Sequence, residues 1–177
     1  MPLRDFDFDT PVNRENSGCE KWDGRLKKFG RADVIPLWVA DMDFAAPAAV
    51  QEAVRARASH PVFGYAQLPD SLLGGLLNWY AGRQQWRINP ARLQLAPGVV
   101  PSLNACVQAL TQWGEGVLVP TPVYPPFFDA VQKNGRRLIT SELVQADGRW
   151  TFDFDDLRHK APEARLLLLC HPHNPVG

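Results

Sequence analysis

From Leu93 to Gly177, short apolar runs alternate with stretches whose apolar residues recur every three to four positions. No other feature limits the fold as strongly, because strands alternating with helices build an α/β sheet. Leu93-Gln94-Leu95 alternates as a strand does, and Val117-Leu118-Val119 is a second short apolar run. A third strand is expected near 137–141, and Leu166-Leu167-Leu168-Leu169-Cys170 reads as a buried terminal strand. Between them the spacing predicts a helix with Leu103, Cys106, Val107 and Leu110 on its face, broken by Gly114-Glu115-Gly116. Another runs from about Pro126 to Asn134 and stops at Gly135. Asp147-Gly148 turns the chain back toward Trp150, and Asp153 caps a short helix that contains Leu157. The expected fold class is α/β, a mainly parallel sheet flanked by helices.

Upstream the pattern differs. The first forty-odd residues show no period, hold Trp22, Trp38 and many charges, and read as an extended arm, residues 1–46. Pro47 suits the first position of a helix reaching about Ala58, with Val50, Ala53, Val54 and Arg57 bracketing a buried stripe. Asp70 or Ser71 caps a second helix to about Arg83, on which Leu72, Leu73, Leu76, Leu77 and Tyr80 fall at helical spacing. Gly74 and Gly75 weaken that helix, which points to a close packing contact. No internal repeat or low-complexity linker interrupts residues 47–177, which read as one partial domain.

Nineteen Lys and Arg balance nineteen Asp and Glu, so net charge gives no reason to expect nucleic acid or an anionic membrane as partner. The run Arg25, Lys27, Lys28 and Arg31 reads as solvated surface. The start, Met1-Pro2-Leu3-Arg4-Asp5-Phe6-Asp7, is too acidic and too weakly apolar for a signal peptide, and no apolar run is long enough to span a bilayer. Cys19, Cys106 and Cys170 lack metal-ligand spacing and suit reduced thiols in the cytoplasm, Cys106 and Cys170 as small core residues. His171 and His173 lie two apart with no further ligand in metal-site order, so no metal site is expected.

Three segments bear on chemistry. Gly98-Val99-Val100 joins an expected strand to an expected helix, where free N–H groups and the helix dipole favour an anion and a glycine lets backbone approach a phosphate. An ordinary strand-to-helix turn has the same residues. Tyr124, in Thr121-Pro122-Val123-Tyr124-Pro125-Pro126, is an aromatic ring on a stiff loop just past a strand, able to stack on a flat ligand or simply to pack on the core. Asn174 follows the terminal strand, and its amide either donates to a ligand oxygen or starts an Asn-Pro turn. Ligands of open α/β sheets sit at the carboxyl ends of the strands, so the chain reads as one that stops where an active-site loop begins.

Taken together the segments resemble the fold-type I enzymes that use pyridoxal 5′-phosphate (PLP), the class I/II aminotransferase superfamily, and within it the MalY/PatB-type cystathionine β-lyases. The resemblance rests on Asn13-Arg14 with Lys21-Trp22-Asp23, on Trp38-Val39-Ala40-Asp41-Met42-Asp43-Phe44 and on Phe63-Gly64-Tyr65. It continues through Pro97-Gly98-Val99-Val100-Pro101, Thr121-Pro122-Val123-Tyr124-Pro125-Pro126-Phe127-Phe128 and Pro172-His173-Asn174-Pro175-Val176-Gly177. His171 stands where the family commonly has Asn, and Cys19 where a small hydroxyl residue is usual.

The resemblance implies a PLP cofactor whose phosphate rests on backbone at Gly98, Val99 and Val100 and whose ring is stacked by Tyr124. It implies a hydrogen bond from Asn174 to the ring oxygen O3′, and a reach by Tyr65 across a homodimer interface to the neighbour's phosphate. Ala40 would line the pocket of a small amino-acid substrate. Residues 47–177 would be part of the large PLP-binding domain. Family members are roughly twice as long. Because none of Lys21, Lys27, Lys28, Lys133 or Lys160 lies in the family's lysine motif, no catalytic residue is assigned, and the cofactor-bonding lysine is expected beyond the chain end. The implied activity of the intact protein is a carbon–sulfur β-lyase giving pyruvate, ammonia and a thiol. An aminotransferase on the same scaffold is the alternative. A non-catalytic, partner-binding fragment is the alternative from another class.

Overall fold

Val117, Leu118 and Val119 lie at the centre of the sheet because both faces of their strand are covered. In the computed structural model, which describes residues 7–177, this strand is β1 (Gly116–Thr121), buried from Gly116 to Pro120. The stretch 1–6, read above for a leader, lies outside the described residues. β2 (Arg137–Ala146) and β4 (Ala164–Leu167) flank β1 in parallel, and β3 (Arg149–Phe152) pairs antiparallel with β2. The sheet order is β3-β2-β1-β4. The β2–β3 turn is the expected Asp147-Gly148, both residues at positive φ (51° and 73°) as a two-residue hairpin requires.

Three helices pack on this sheet: α5 (Val99–Leu110), α6 (Pro126–Gln132) and α7 (Phe154–Lys160). Val107 of α5, Val117 and Val119 of β1, and Phe127, Ala130 and Val131 of α6 form one buried cluster with Val123 and Leu168. α7 begins at the expected Asp153 cap, whose carboxylate accepts from the Asp155 and Asp156 N–H groups. Of the expected α5 face, Val107 is buried and Leu103 packs against the cluster, but Cys106 and Leu110 are exposed. Cys106 is therefore not a core residue, whereas Cys170 packs against the cluster.

The expected strand at Leu93-Gln94-Leu95 does not form. A 3₁₀ turn at Pro90–Arg92, capped by the Asn89 side chain, leads into extended backbone at Leu93 that pairs with no described strand. Alternation sets which face a residue takes, but a strand exists only where a neighbour accepts its hydrogen bonds. The terminal apolar run is strand only as far as Leu167, with one further bond from Leu168 N–H to the Leu118 carbonyl.

Contacts group the chain into two units, one ending at Leu72 and one from Leu73 to Gly177. Helix α4 (Asp70–Gln84) carries the boundary, close to its expected limits. A Cβ at Gly74 or Gly75 would meet nothing within 4 Å, so the expected close contact is absent among the described residues. The first unit holds α1 (Glu20–Asp23), α2 (Arg25–Phe29) and α3 (Ala48–Ser59). On α3, Val50 and Val54 are exposed and no residue is buried, so the expected buried stripe has no covering partner among the described residues. Arg25 departs from the expected solvated run: it is buried, donating to the Trp22 and Val34 carbonyls and to Glu15.

Polar ties, rather than apolar burial, organise the first unit. Asp43 accepts from Lys21 Nζ (2.7 Å), Trp22 Nε1 (2.8 Å) and Arg14 (2.7 Å), and Arg14 also pairs with Asp41. Lys21 is buried and gives a further bond to the Asp41 carbonyl. These donors, the Lys21 ammonium first, hold the Asp43 carboxyl far below the usual aspartate range. Because the folded value lies below the unfolded one, this carboxylate stabilises the fold fully above about pH 4 and progressively less as pH falls further. Acid titration is expected to shift Trp22 fluorescence in the same interval, and Asp43→Asn is expected to remove that step. An unchanged acid profile in Asp43→Asn would show that the carboxylate does not organise this unit.

Candidate functional site

The candidate site stands at the carboxyl end of the parallel strands, built by three segments of the second unit. α5 leads through residues 111–115 directly into β1, so it runs antiparallel to β1. Its twelve residues span about 18 Å, close to the length of a six-residue strand. The α5 N-terminus therefore lies level with the end of β1. A cation fixes the far end: Arg136 donates from Nε to Thr111 Oγ1 (2.8 Å) and from Nη2 to the Thr111 carbonyl (2.6 Å), where the helix dipole is negative. Asn134 Nδ2 donates to Asn104 Oδ1 (2.8 Å), which sets α5 against the loop after α6.

Gly98 caps α5 at φ 154°, ψ 169°, a conformation essentially reserved for glycine. A Cβ there would lie 3.6 Å from Pro101 Cδ, an ordinary contact, so the backbone rather than the space requires glycine. No side chain caps the helix and no acidic residue occupies its first turn. The Gly98 carbonyl accepts from Ser102 N–H and from Ser102 Oγ, but the helix itself supplies no acceptor for the N–H groups of Val99 and Val100. Val99 is well exposed. Two outward amides at a positive helix end, with no competing carboxylate, form a donor set that fits a phosphate.

Tyr124 lies on the loop from the end of β1 to α6. Its ring is half exposed rather than packed into the core, which leaves it free to cover a flat ligand. Asn174 lies on the parallel loop after β4, also exposed, with its N–H donating to Cys170 Sγ at 3.4 Å. The two loops are tied together by His173, buried at 6% exposure, whose Nε2 lies 2.8 Å from the Pro122 carbonyl. The Phe152 ring stands edge-on to the imidazole, centroids 6.2 Å apart. This tie has no signal in the sequence, where His173 is visible only as one of two loop histidines. Gly98, Val99, Val100, Tyr124 and Asn174 thus belong to one end of one unit. Tyr65 and Ala40 belong to the first unit, where Tyr65 is fully exposed and Ala40 lies in the segment held by the Asp41 and Asp43 ties.

Neither lysine of the second unit stands at this end. Lys133 follows α6 at the opposite end and pairs with Asp129, and Lys160 pairs with Asp156 and donates to the Thr140 carbonyl in mid-strand. No group of His, Cys, Asp and Glu suited to a metal ion occurs among the described residues.

An α/β sheet with an uncapped, glycine-opened helix N-terminus and an aromatic loop after the central strand is the arrangement in this chain that comparison with known proteins places in a class. Residues 32–177 match the family aminotransferase class I and II, and the chain belongs to it. It is 41% identical over 174 residues to cystathionine beta-lyase PatB of Bacillus subtilis strain 168, covering 97% of this chain and 45% of PatB. Cystalysin from Treponema denticola, whose structure contains a pyridoxal 5′-phosphate cofactor, superposes with a TM-score of 0.89 at 36% identity, over 97% of this chain and 45% of cystalysin. The PLP-bound C-S lyase from Staphylococcus hominis gives 0.86 at 28% identity, over 97% and 44%. The chain thus spans less than half the length of the relatives it matches. Among the described residues no helix is long and apolar enough to cross a membrane.

Proposed function

We propose that the protein is a PLP-dependent carbon–sulfur β-lyase of the cystathionine β-lyase type, acting on a small amino acid and one water and giving pyruvate, ammonia and a thiol. The observation that carries the proposal is the Gly98-opened α5 N-terminus level with half-exposed Tyr124, in a chain whose relatives include PatB and PLP-containing cystalysin. The Val99 and Val100 amides, with backbone at Gly98, take the cofactor phosphate. Tyr124 covers the ring, and the Asn174 side-chain amide donates to O3′. Held by these residues, the cofactor would supply an electron sink for the substrate's α-carbon, the chemistry that β-elimination of a thiol requires.

Ala40, on the backbone fixed by Asp41 and Asp43, is assigned to the substrate pocket. Tyr65, exposed on its own unit, is assigned to the phosphate bound by the other copy of a homodimer. The chain divides in this reading into an arm, residues 1–46, and part of the large cofactor-binding domain, 47–177. No lysine of the chain is assigned to the chemistry, since both lysines of the site-bearing unit are engaged elsewhere. The protein is assigned to the cytoplasm.

The product of the whole reading frame, supplied with PLP, is expected to release pyruvate and a thiol from cystathionine or a cysteine S-conjugate. Keto-acid-dependent amino transfer without pyruvate would replace the lyase with an aminotransferase. Failure to bind PLP at all would end both readings.

A further inference from the structure

We propose that His173 is a positioning residue that sets the spacing between the Tyr124 and Asn174 loops and so matches them to one flat ligand. The inference rests on the PLP reading for the identity of that ligand, and on the structure for the tie. His173 is the one buried polar side chain on the loop after β4, and its Nε2 reaches back 51 residues to the Pro122 carbonyl at 2.8 Å. Pro122 lies two residues before Tyr124, and His173 immediately precedes Asn174. Beyond the apolar cluster shared by Val123 and Leu168, this hydrogen bond therefore ties the two loops next to the residues assigned to the ring face and the ring oxygen.

The chemistry of the bond determines the tautomer. A carbonyl oxygen only accepts, so Nε2 carries the proton and donates. In a neutral ring Nδ1 is then a bare lone pair, and His173 Nδ1 is buried with no hydrogen-bond partner among the described residues. A buried acceptor left unmatched is costly. Three other features surround and hold the loop. Phe152 meets the imidazole edge-on, Cys170 Sγ accepts from Asn174 N–H at 3.4 Å, and Gly177 N–H donates to the His173 carbonyl at 2.6 Å. None of these joins the loop to the Tyr124 loop. The polar connection is made by Nε2, beside the apolar packing of Val123 and Leu168, and a main-chain turn alone would need no buried imidazole.

The test uses the whole reading-frame product and PLP itself. His173→Leu removes the donor, and His173→Gln keeps an N–H donor at a similar reach. His173→Leu is expected to weaken PLP binding about tenfold, the scale of one lost hydrogen bond, and to shift the visible circular dichroism of bound PLP. His173→Gln is expected to restore affinity to within about threefold and to recover the spectrum. In an Asn174→Ala background, His173→Leu is expected to cost less than about threefold more, because its effect runs through the missing amide. Nitrogen-15 NMR of the unmodified protein is expected to report the Nε2–H tautomer. Unchanged PLP affinity in His173→Leu, no rescue by His173→Gln, or fully additive losses would overturn the proposal. So would an Nδ1–H tautomer in a protein that binds PLP, an outcome that leaves the cofactor reading standing. Absence of PLP binding by the unmodified protein would overturn the cofactor reading and the role of His173 with it.

Discussion

Gly98→Val is expected to weaken PLP binding by at least about a hundredfold while the rest of the sheet stays folded. Two effects act together. The first is conformational: φ 154°, ψ 169° lies in a region that L side chains avoid, at a cost on the order of 1–3 kcal/mol. The Cβ position itself is open, with Pro101 Cδ at 3.6 Å, so the chain escapes the strain by rotating the backbone ahead of α5 rather than by moving neighbours. The second effect follows from that rotation. The Val99 and Val100 N–H groups leave their common direction, and each charge-assisted bond to a phosphate is worth roughly 1.5–3 kcal/mol. Losing both accounts for the hundredfold. α5 is held at its other end by Arg136 on Thr111 and along its length by Val107 in the core, so the helix survives. PLP titration and urea denaturation on the same preparation separate the two effects. Unchanged affinity in a folded Gly98→Val protein would place the phosphate elsewhere.

Local chemistry was legible in the sequence, and dependence on a distant partner was not. Asp153 as a cap, Asp147-Gly148 as a hairpin turn and Gly98 before a helix are each decided within a few residues, and all three stand in the structure. Val117-Leu118-Val119 was legible because a strand buried on both faces is apolar without a break. Leu93-Gln94-Leu95 has the right alternation but no described neighbour to bond, and alternation does not reveal that. Arg25 looks like surface beside Lys27 and Lys28, yet two carbonyls and Glu15 satisfy it inside the first unit. The exposed apolar residues of α3 have helical spacing, but spacing does not say what covers them. At the site the same division holds. Tyr124 and Asn174 stand out as residue types on loops after strands, whereas the His173 bond that couples those loops spans 51 positions and leaves no local trace.

Gly116→Ala is expected to destabilise the second unit by about 3 kcal/mol, although the sequence presents Gly116 only as one of two glycines that break a helix. A Cβ at Gly116 would lie 2.2 Å from the Glu163 carbonyl oxygen and 2.6 Å from Ile139 Cδ1. Ile139 can move, but the carbonyl is backbone and is held. The Glu163 carbonyl accepts from Arg137 Nη2 at 3.1 Å, while Arg137 Nη1 pairs with the Glu163 carboxylate at 3.0 Å. The crowding originates in the ladder itself. Gly116 pairs with Ala164 but Val117 pairs with Leu166, so Arg165 is an extra residue that bulges β4 against β1. A methyl group at Gly116 must therefore separate the two strands at the bulge or drive Arg137 off Glu163. Gly114, two residues earlier, serves as the control. It sits at φ 79° with nothing within 4 Å of a Cβ, so Gly114→Asn, which tolerates left-handed backbone, is expected to cost well under half as much. Urea midpoints for the two variants measure the difference. Equal midpoints would mean that β1 and β4 do not approach at Gly116, and the loops carrying Tyr124 and Asn174 would then lose the shared strand pair on which their spacing depends.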